Sequence, residues 1–126
     1  MYVFENPNPD GIFTGDCVVR AIAIAEGKDW DTIYIELALQ GLLLKDMPSS
    51  NRVWMQYLKG KGYERKNIYD CCDGCYTVSD FCEDFPKGTF ILGTGTHAVA
   101  VIDGNWRDSW DSGKESPAFY FERSEK

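Results

Sequence analysis

At 126 residues the chain has the length of one domain, and its 44% hydrophobic, 26% charged and 14% aromatic residues suit a globular protein with a bulky core. The net charge of −7 comes from 13 basic and 20 acidic residues, and the densest basic stretch, KGKGYERK (59–66), reads as a helix end plus a solvated turn, so direct nucleic-acid binding is not expected. The longest apolar run, LALQGLLL (37–44), is too short to span a bilayer, and the opening MYVFENPNPDG has no basic n-region, so no membrane association and a cytoplasmic location are expected.

In chain order, ENPNPDGIFTG (5–15) is turn-rich, with Pro7, Pro9, Gly11 and Gly15 denying it regular structure. DCVVRAIAIAEG (16–27) predicts a buried helix with Asp16 as N-cap and Gly27 as stop. Its small and branched residues alternate in a way that also fits a strand; the cap and the length decide for helix. DWDTIYIELALQGLLLK (29–45) predicts a second helix, with Ile33, Leu37 and Leu44 on one side and Tyr34 and Ala38 beside them. Ser50 is placed to cap a third, NRVWMQYLKGKG, whose apolar face is Val53, Trp54, Tyr57 and Leu58 and which Gly60 or Gly62 closes.

YERKNIYD (63–70) then predicts a short strand and CCDGCY (71–76) a turn. TVSDFCEDFPKG (77–88) predicts a short helix capped by Thr77 or Ser79, with Val78, Phe81, Cys82 and Phe85 facing inward. From TFILGTG (89–95) onward the period becomes two, and THAVAVID (96–103), NWRDSW (105–110) and PAFYFER (117–123) read as strands. Helices first and strands last predict an α+β fold, N-terminal helices packed on a C-terminal antiparallel sheet, in a single domain over 1–126.

Two residues carry chemistry in this frame. Cys17 lies at the first turn of the first helix, where unpaired N–H groups place about half a positive charge. That field favours thiolate, the nucleophilic form, and the same N–H groups can receive an oxyanion. The alternative use of Cys17 is as a small buried residue of an apolar helix. Its position at the helix start, behind a glycine- and proline-rich lead-in, favours the reactive one.

His97 is the sole imidazole. Asp103-Gly104 is a strong two-residue hairpin signal. Taken as the loop, it pairs Ile102 with Asn105, sets Val101 against Trp106 and Val99 against Asp108, and puts Asp108 diagonal to His97 on one face. Asp111 falls on the other face, and a one-residue slip would exchange the two aspartates. Asp108 would then hold one ring nitrogen and leave the other for the thiol, with Trp110 or Trp106 covering the contact. The plainer alternative is a strand-end histidine bonded to whatever lies near.

DCVVRAIA followed much later by HAVAVIDG and RDSWDSG resembles the papain-like cysteine peptidase superfamily, and more closely small bacterial and phage proteins with the same GDCVVRAI and HAVAVIDG segments. The resemblance implies a minimal papain-like fold and a Cys17–His97–Asp108 triad acting on an amide or isopeptide bond of a peptide or protein substrate, with no cofactor. The motifs cover about a quarter of the chain. Three departures stand out: the spacing from His97 to Asp108 is short, the chain is much smaller than the family's peptidases, and the family's oxyanion-hole glutamine is missing upstream of Cys17. Asn6 and Asn8 are the side-chain amides available upstream, as oxyanion donors or as turn formers before proline. Arg20, one turn past Cys17, is expected in an ion pair on the helix surface or against an acidic substrate group.

Cys71, Cys72, Cys75 and Cys82 cluster in CCDGCYTVSDFC. One Cys-x-x-Cys pair falls short of a four-ligand zinc site, so no metal is expected, and in the cytoplasm the five cysteines would stay reduced. Two other functions remain open: a non-catalytic binding module of papain-like fold, and a small interaction protein stabilised by zinc at the cysteine cluster.

Overall fold

The computed structural model describes residues 1–68 and 75–123. In chain order their elements are β1 (Tyr2–Phe4), α1 (Cys17–Glu26), α2 (Trp30–Leu44), α3 (Asn51–Gly60), β2 (Tyr63–Asn67), α4 (Val78–Asp84), β3 (Thr89–Gly93), β4 (Ala98–Ile102), β5 (Asn105–Asp108) and β6 (Phe119–Arg123). The architecture is α+β, with the strands in one mixed sheet of order β1-β5-β4-β3-β6-β2.

Local signals account for the helix ends. Gly27 closes α1 with φ 66°, a left-handed conformation that costs glycine nothing. Asp29 caps α2 by accepting the Thr32 N–H at 2.8 Å. Of the two candidate caps for α4, Thr77 is the one used, in a reciprocal capping box with Asp80. The four apolar residues expected on α3, Val53, Trp54, Tyr57 and Leu58, are all buried.

The β4–β5 hairpin sets the register on which the site depends. Asp103 and Gly104 both have positive φ, 50° and 79°, as a type I′ turn requires. Ile102 accordingly pairs with Asn105 and Val101 with Trp106. The sheet is covered on both faces, which explains the unbroken apolar run of β4. Ala98 and Ala100 pack in the cluster built by α1, α2 and α3, where small side chains let α1 come close. Val99 and Val101 pack in a second cluster with Val78 and Phe81 of α4.

Three expectations are corrected. The sheet is neither purely antiparallel nor confined to the carboxyl end, because β1 pairs parallel with β5 and β2 forms the far edge beside β6. The turn-rich stretch 5–15 holds no helix or strand, as expected; β1 precedes it, and Tyr2-Val3-Phe4 has the branched and aromatic composition of a strand. Reduced thiols throughout is corrected at Cys75, which is disulfide-bonded, whereas Cys17 and Cys82 are free. Cys71 and Cys72, and with them the rest of the expected turn and zinc cluster, lie outside the described residues. Among the described residues, no helix is long and apolar enough to cross a membrane.

Candidate active site

α1 runs against β4, so its first residue, Cys17, lies beside the start of that strand. The β3–β4 loop turns tightly there: the Thr94 N–H bonds the His97 carbonyl at 2.9 Å, and Gly95 takes φ 100°. His97 thus closes the loop immediately before Ala98. Asp108 is the last residue of β5, and its carbonyl accepts the Glu5 N–H at 2.9 Å.

These three side chains meet. His97 Nε2 lies 2.6 Å from Asp108 Oδ2. The Cys17 sulfur borders the same depression as His97 and Ala98, close enough to the ring and to the Ala98 N–H for both to favour the thiolate. With Nε2 held by Asp108, Nδ1 is the nitrogen left for the sulfur. Cys17 is half-buried, and the side chains of His97 and Asp108 are 9% and 3% exposed.

Burial of these groups is opposed by their mutual contacts. Burial pushes the Cys17 thiol up, but the bonds to His97 and Ala98 and the charges of His97 and Arg20 outweigh it, so the thiol titrates below its ordinary value. Burial pushes His97 down, yet the bonds to Asp108 and Cys17 raise it to about 9. Burial also pushes Asp108 up, and His97, Ser112 and Ser109 hold it below the usual carboxylate range. All three shifts favour the same charged set, a thiolate–imidazolium pair backed by a carboxylate.

Asp108 is fixed by more than its histidine. The Ser112 hydroxyl donates to Oδ2 at 2.7 Å, the Ser109 N–H donates to Oδ1 at 2.8 Å, and Arg20 Nη2 approaches Oδ1 at 3.3 Å. Both serines follow the aspartate within four residues, in DSWDS (108–112), a local signal that sequence reading passed over. Arg20 itself needs correcting. It is 5% exposed rather than on the helix surface, and it bridges Asp16 and Asp108.

Asp16 is the N-cap residue of α1, but its side chain makes no capping bond. Its carboxylate instead takes Arg20, Trp30 Nε1 at 2.9 Å and Asn8 Nδ2 at 3.4 Å. The first-turn N–H groups beside Cys17 are left without a side-chain cap. Asn6 and Asn8 serve the turn: Asn6 Oδ1 accepts the Asn8 N–H, and Asn8 Oδ1 accepts the Asp10 N–H. Neither borders the depression at Cys17.

Trp110 covers His97, with ring centroids 4.7 Å apart. Trp106 does not. It packs against the α4 cluster and donates from Nε1 to Asp111 at 2.9 Å.

Two depressions flank Cys17. One, about 240 Å³, is bordered by Cys17, His97, Asn51, Trp54, Gly95 and Phe119. The other, about 300 Å³, is bordered by Val18, Trp30, Tyr34, Leu37 and Met47, and the two share Gly15, Val18 and Ser49. Asn51 escaped sequence reading because it arrives from α3, with no local signal. Its Oδ1 accepts Trp54 Nε1 at 3.0 Å. Among the described residues no group of three or more His, Cys, Asp or Glu side chains is placed to hold a metal ion. Comparison with protein-family models, with curated proteins and with solved structures gives no match.

Proposed function

We propose that the protein is a thiol hydrolase or acyl-transferase of minimal papain-like fold, with Cys17 as nucleophile, His97 as general base and acid, and Asp108 as the residue that orients His97. The reading is carried by one observation: the Cys17 sulfur, at an uncapped helix start, lies beside an imidazole ring whose Nε2 rests on a buried carboxylate. A helix that opens on the cysteine and packs on a strand that follows the histidine is the arrangement the papain-like resemblance implies.

The thiolate attacks an amide carbonyl carbon, forming a C–S bond while the carbonyl electrons move onto oxygen. The Cys17 N–H receives that oxyanion, and Asn51, on the rim of the same depression, is a candidate second donor. The imidazolium gives its proton to the leaving nitrogen, the C–N bond breaks, and a thioester remains. Water then attacks the thioester, His97 takes its proton, and the acid and thiolate are released. An amine in place of water completes acyl transfer by the same steps. The depressions are at or below the small end of ligand pockets, about 300–1,000 Å³, so each suits one side chain of an extended peptide rather than an enclosed small molecule.

Iodoacetamide labelling, read out at Cys17 by peptide mass spectrometry, tests the pairing. Cys17 is expected to label rapidly below neutral pH. In His97→Ala the burial that raises the thiol loses its main opponent, so labelling should shift to alkaline pH. An ordinary thiol profile in the native protein, unchanged by His97→Ala, would overturn the reading. Turnover of peptide or isopeptide substrates, abolished in Cys17→Ala, then separates hydrolase from transferase by the product formed with added amine.

A further inference from the structure

Helix α2 is apolar on two opposite sides. Ile33, Leu37 and Gly41 are buried. On the reverse side Ile35, Leu39, Leu42 and Leu43 are 58%, 55%, 62% and 76% exposed. A helix apolar all round is ordinarily covered all round, and a row of large exposed aliphatics marks an interaction surface. Asp31, Ile35, Ala38 and Leu42 follow one another at alternating helical steps of four and three, which lines them up as a single seam flanked by Leu39 and Leu43; Lys45, the left-handed C-cap residue, stands just past its carboxyl end.

The ends of this seam differ in charge. Asp31 stands at the amino end and Lys45 at the carboxyl end, and neither side chain has a hydrogen-bond or ion-pair partner among the described residues. Asp46, next to Lys45, is already engaged by Ser50 at 3.0 Å and Arg52 at 3.3 Å. The seam is therefore its own complement when reversed. A two-fold axis beside Ala38 sets Asp31 of each copy against Lys45 of the other and Ile35 against Leu42. The small Ala38 sits at the crossing, where the backbones come closest.

We propose that this face is the interface of a symmetric homodimer in which α2 packs antiparallel on α2 of a second copy. Such an isologous contact closes on itself and leaves no free edge. A lipid surface fits the face poorly. Interfacial helices carry lysine and arginine around the apolar face, whereas α2 with its caps, Asp29 to Lys45, brings one cation, Lys45, against Asp29, Asp31 and Glu36, on a chain of net charge −7. The dimer does not depend on the enzymatic reading of Cys17.

Sedimentation equilibrium of the full chain is expected to give a concentration-dependent species of twice 14.3 kDa. Leu39→Glu/Leu42→Glu should run as a monomer with an unchanged far-ultraviolet circular dichroism spectrum. Asp31→Lys and Lys45→Asp each juxtapose like charges twice, which should weaken self-association on the order of tenfold or more. Mixing those two variants restores both opposite-charge contacts and should recover the dimer. A wild-type chain that stays monomeric throughout, alone or on vesicles of anionic lipid, overturns the proposal. So does a dimer that survives Leu39→Glu/Leu42→Glu. If that variant does not fold, the mixing experiment decides, and failure to recover a dimer on mixing overturns the proposal.

Discussion

Arg20 carries its charge into the protein interior, and its guanidinium meets a carboxylate on either side, Asp16 and Asp108. Both acids are themselves buried, at 7% and 3% exposure, so the cation between them is what makes their burial tolerable. Removing one partner of a buried ionic cluster typically costs about 3–5 kcal/mol, because the remaining charges keep the burial without the attraction. Arg20→Gln is therefore expected to lose that order of stability in urea unfolding at neutral pH. It should also raise the pH at which Cys17 labels, since the Arg20 charge helps to lower the thiol. Arg20→Lys keeps the charge but lacks the fork that spans both acids, and should fall between the wild type and Arg20→Gln. The contact of His97 with Asp108 was legible in the sequence because the Asp103-Gly104 turn settles the register only a few residues away. Arg20 was not. Its i,i+4 relation to Asp16 looks the same on an exposed helix as on a buried one, and what buries it is the approach of β5, remote in the chain.

At the scale of elements, the β3–β4 loop depends on a close approach at the end of β3. A Cβ on Gly93 would lie 2.3 Å from the Phe119 ring. That ring is flanked by Trp54 at 6.1 Å and Phe121 at 6.0 Å, and Arg65 covers it at 4.5 Å, so it has little room to yield. Gly93→Ala is therefore expected to destabilise by about 1–3 kcal/mol through overpacking. Gly93 and Phe119 also border the depression that contains His97. The same variant should thus slow the labelling of Cys17 more than its loss of stability explains, measured well below the unfolding midpoint. Elements whose ends are marked locally, α1, α3, α4 and the β4–β5 hairpin, were legible from caps, glycines and period. The places of β1 and β2 were not, since a strand's sequence does not name its neighbour: β2, at Tyr63–Asn67, joins β6, at Phe119–Arg123. The double-sided burial of β4 was hidden for the same reason, because alanine and valine both read as apolar while facing different helices.

For the molecule as a whole, the candidate site is also a clasp. Through Asn8, Asp16, Arg20, Trp30, His97 and Asp108, one polar network ties the lead-in, α1, α2, the β3–β4 loop and β5. Its protonation therefore bears on global stability. In the native protein two opposed effects meet there: folding raises His97 and lowers Cys17, so the proton gained by the ring is offset by the one the sulfur gives up. Cys17→Ala removes the second effect and leaves His97 on Asp108. An imidazolium stabilised by folding contributes fully below its unfolded value of about 6.5 and loses that contribution as pH rises through the raised folded value. That folded value is about 9 with the sulfur present and lower without the sulfur's share. Each tenfold gain in the ring's affinity for its proton on folding is about 1.4 kcal/mol, so Cys17→Ala should lose on the order of 1–3 kcal/mol between about pH 6 and pH 9.5 in urea unfolding. Replacing Asp108 by asparagine in the same variant withdraws the carboxylate that raises the ring, and the pH dependence assigned to His97 should vanish. An unchanged slope in the double variant would show that the clasp takes its pH dependence from groups other than His97 and Asp108.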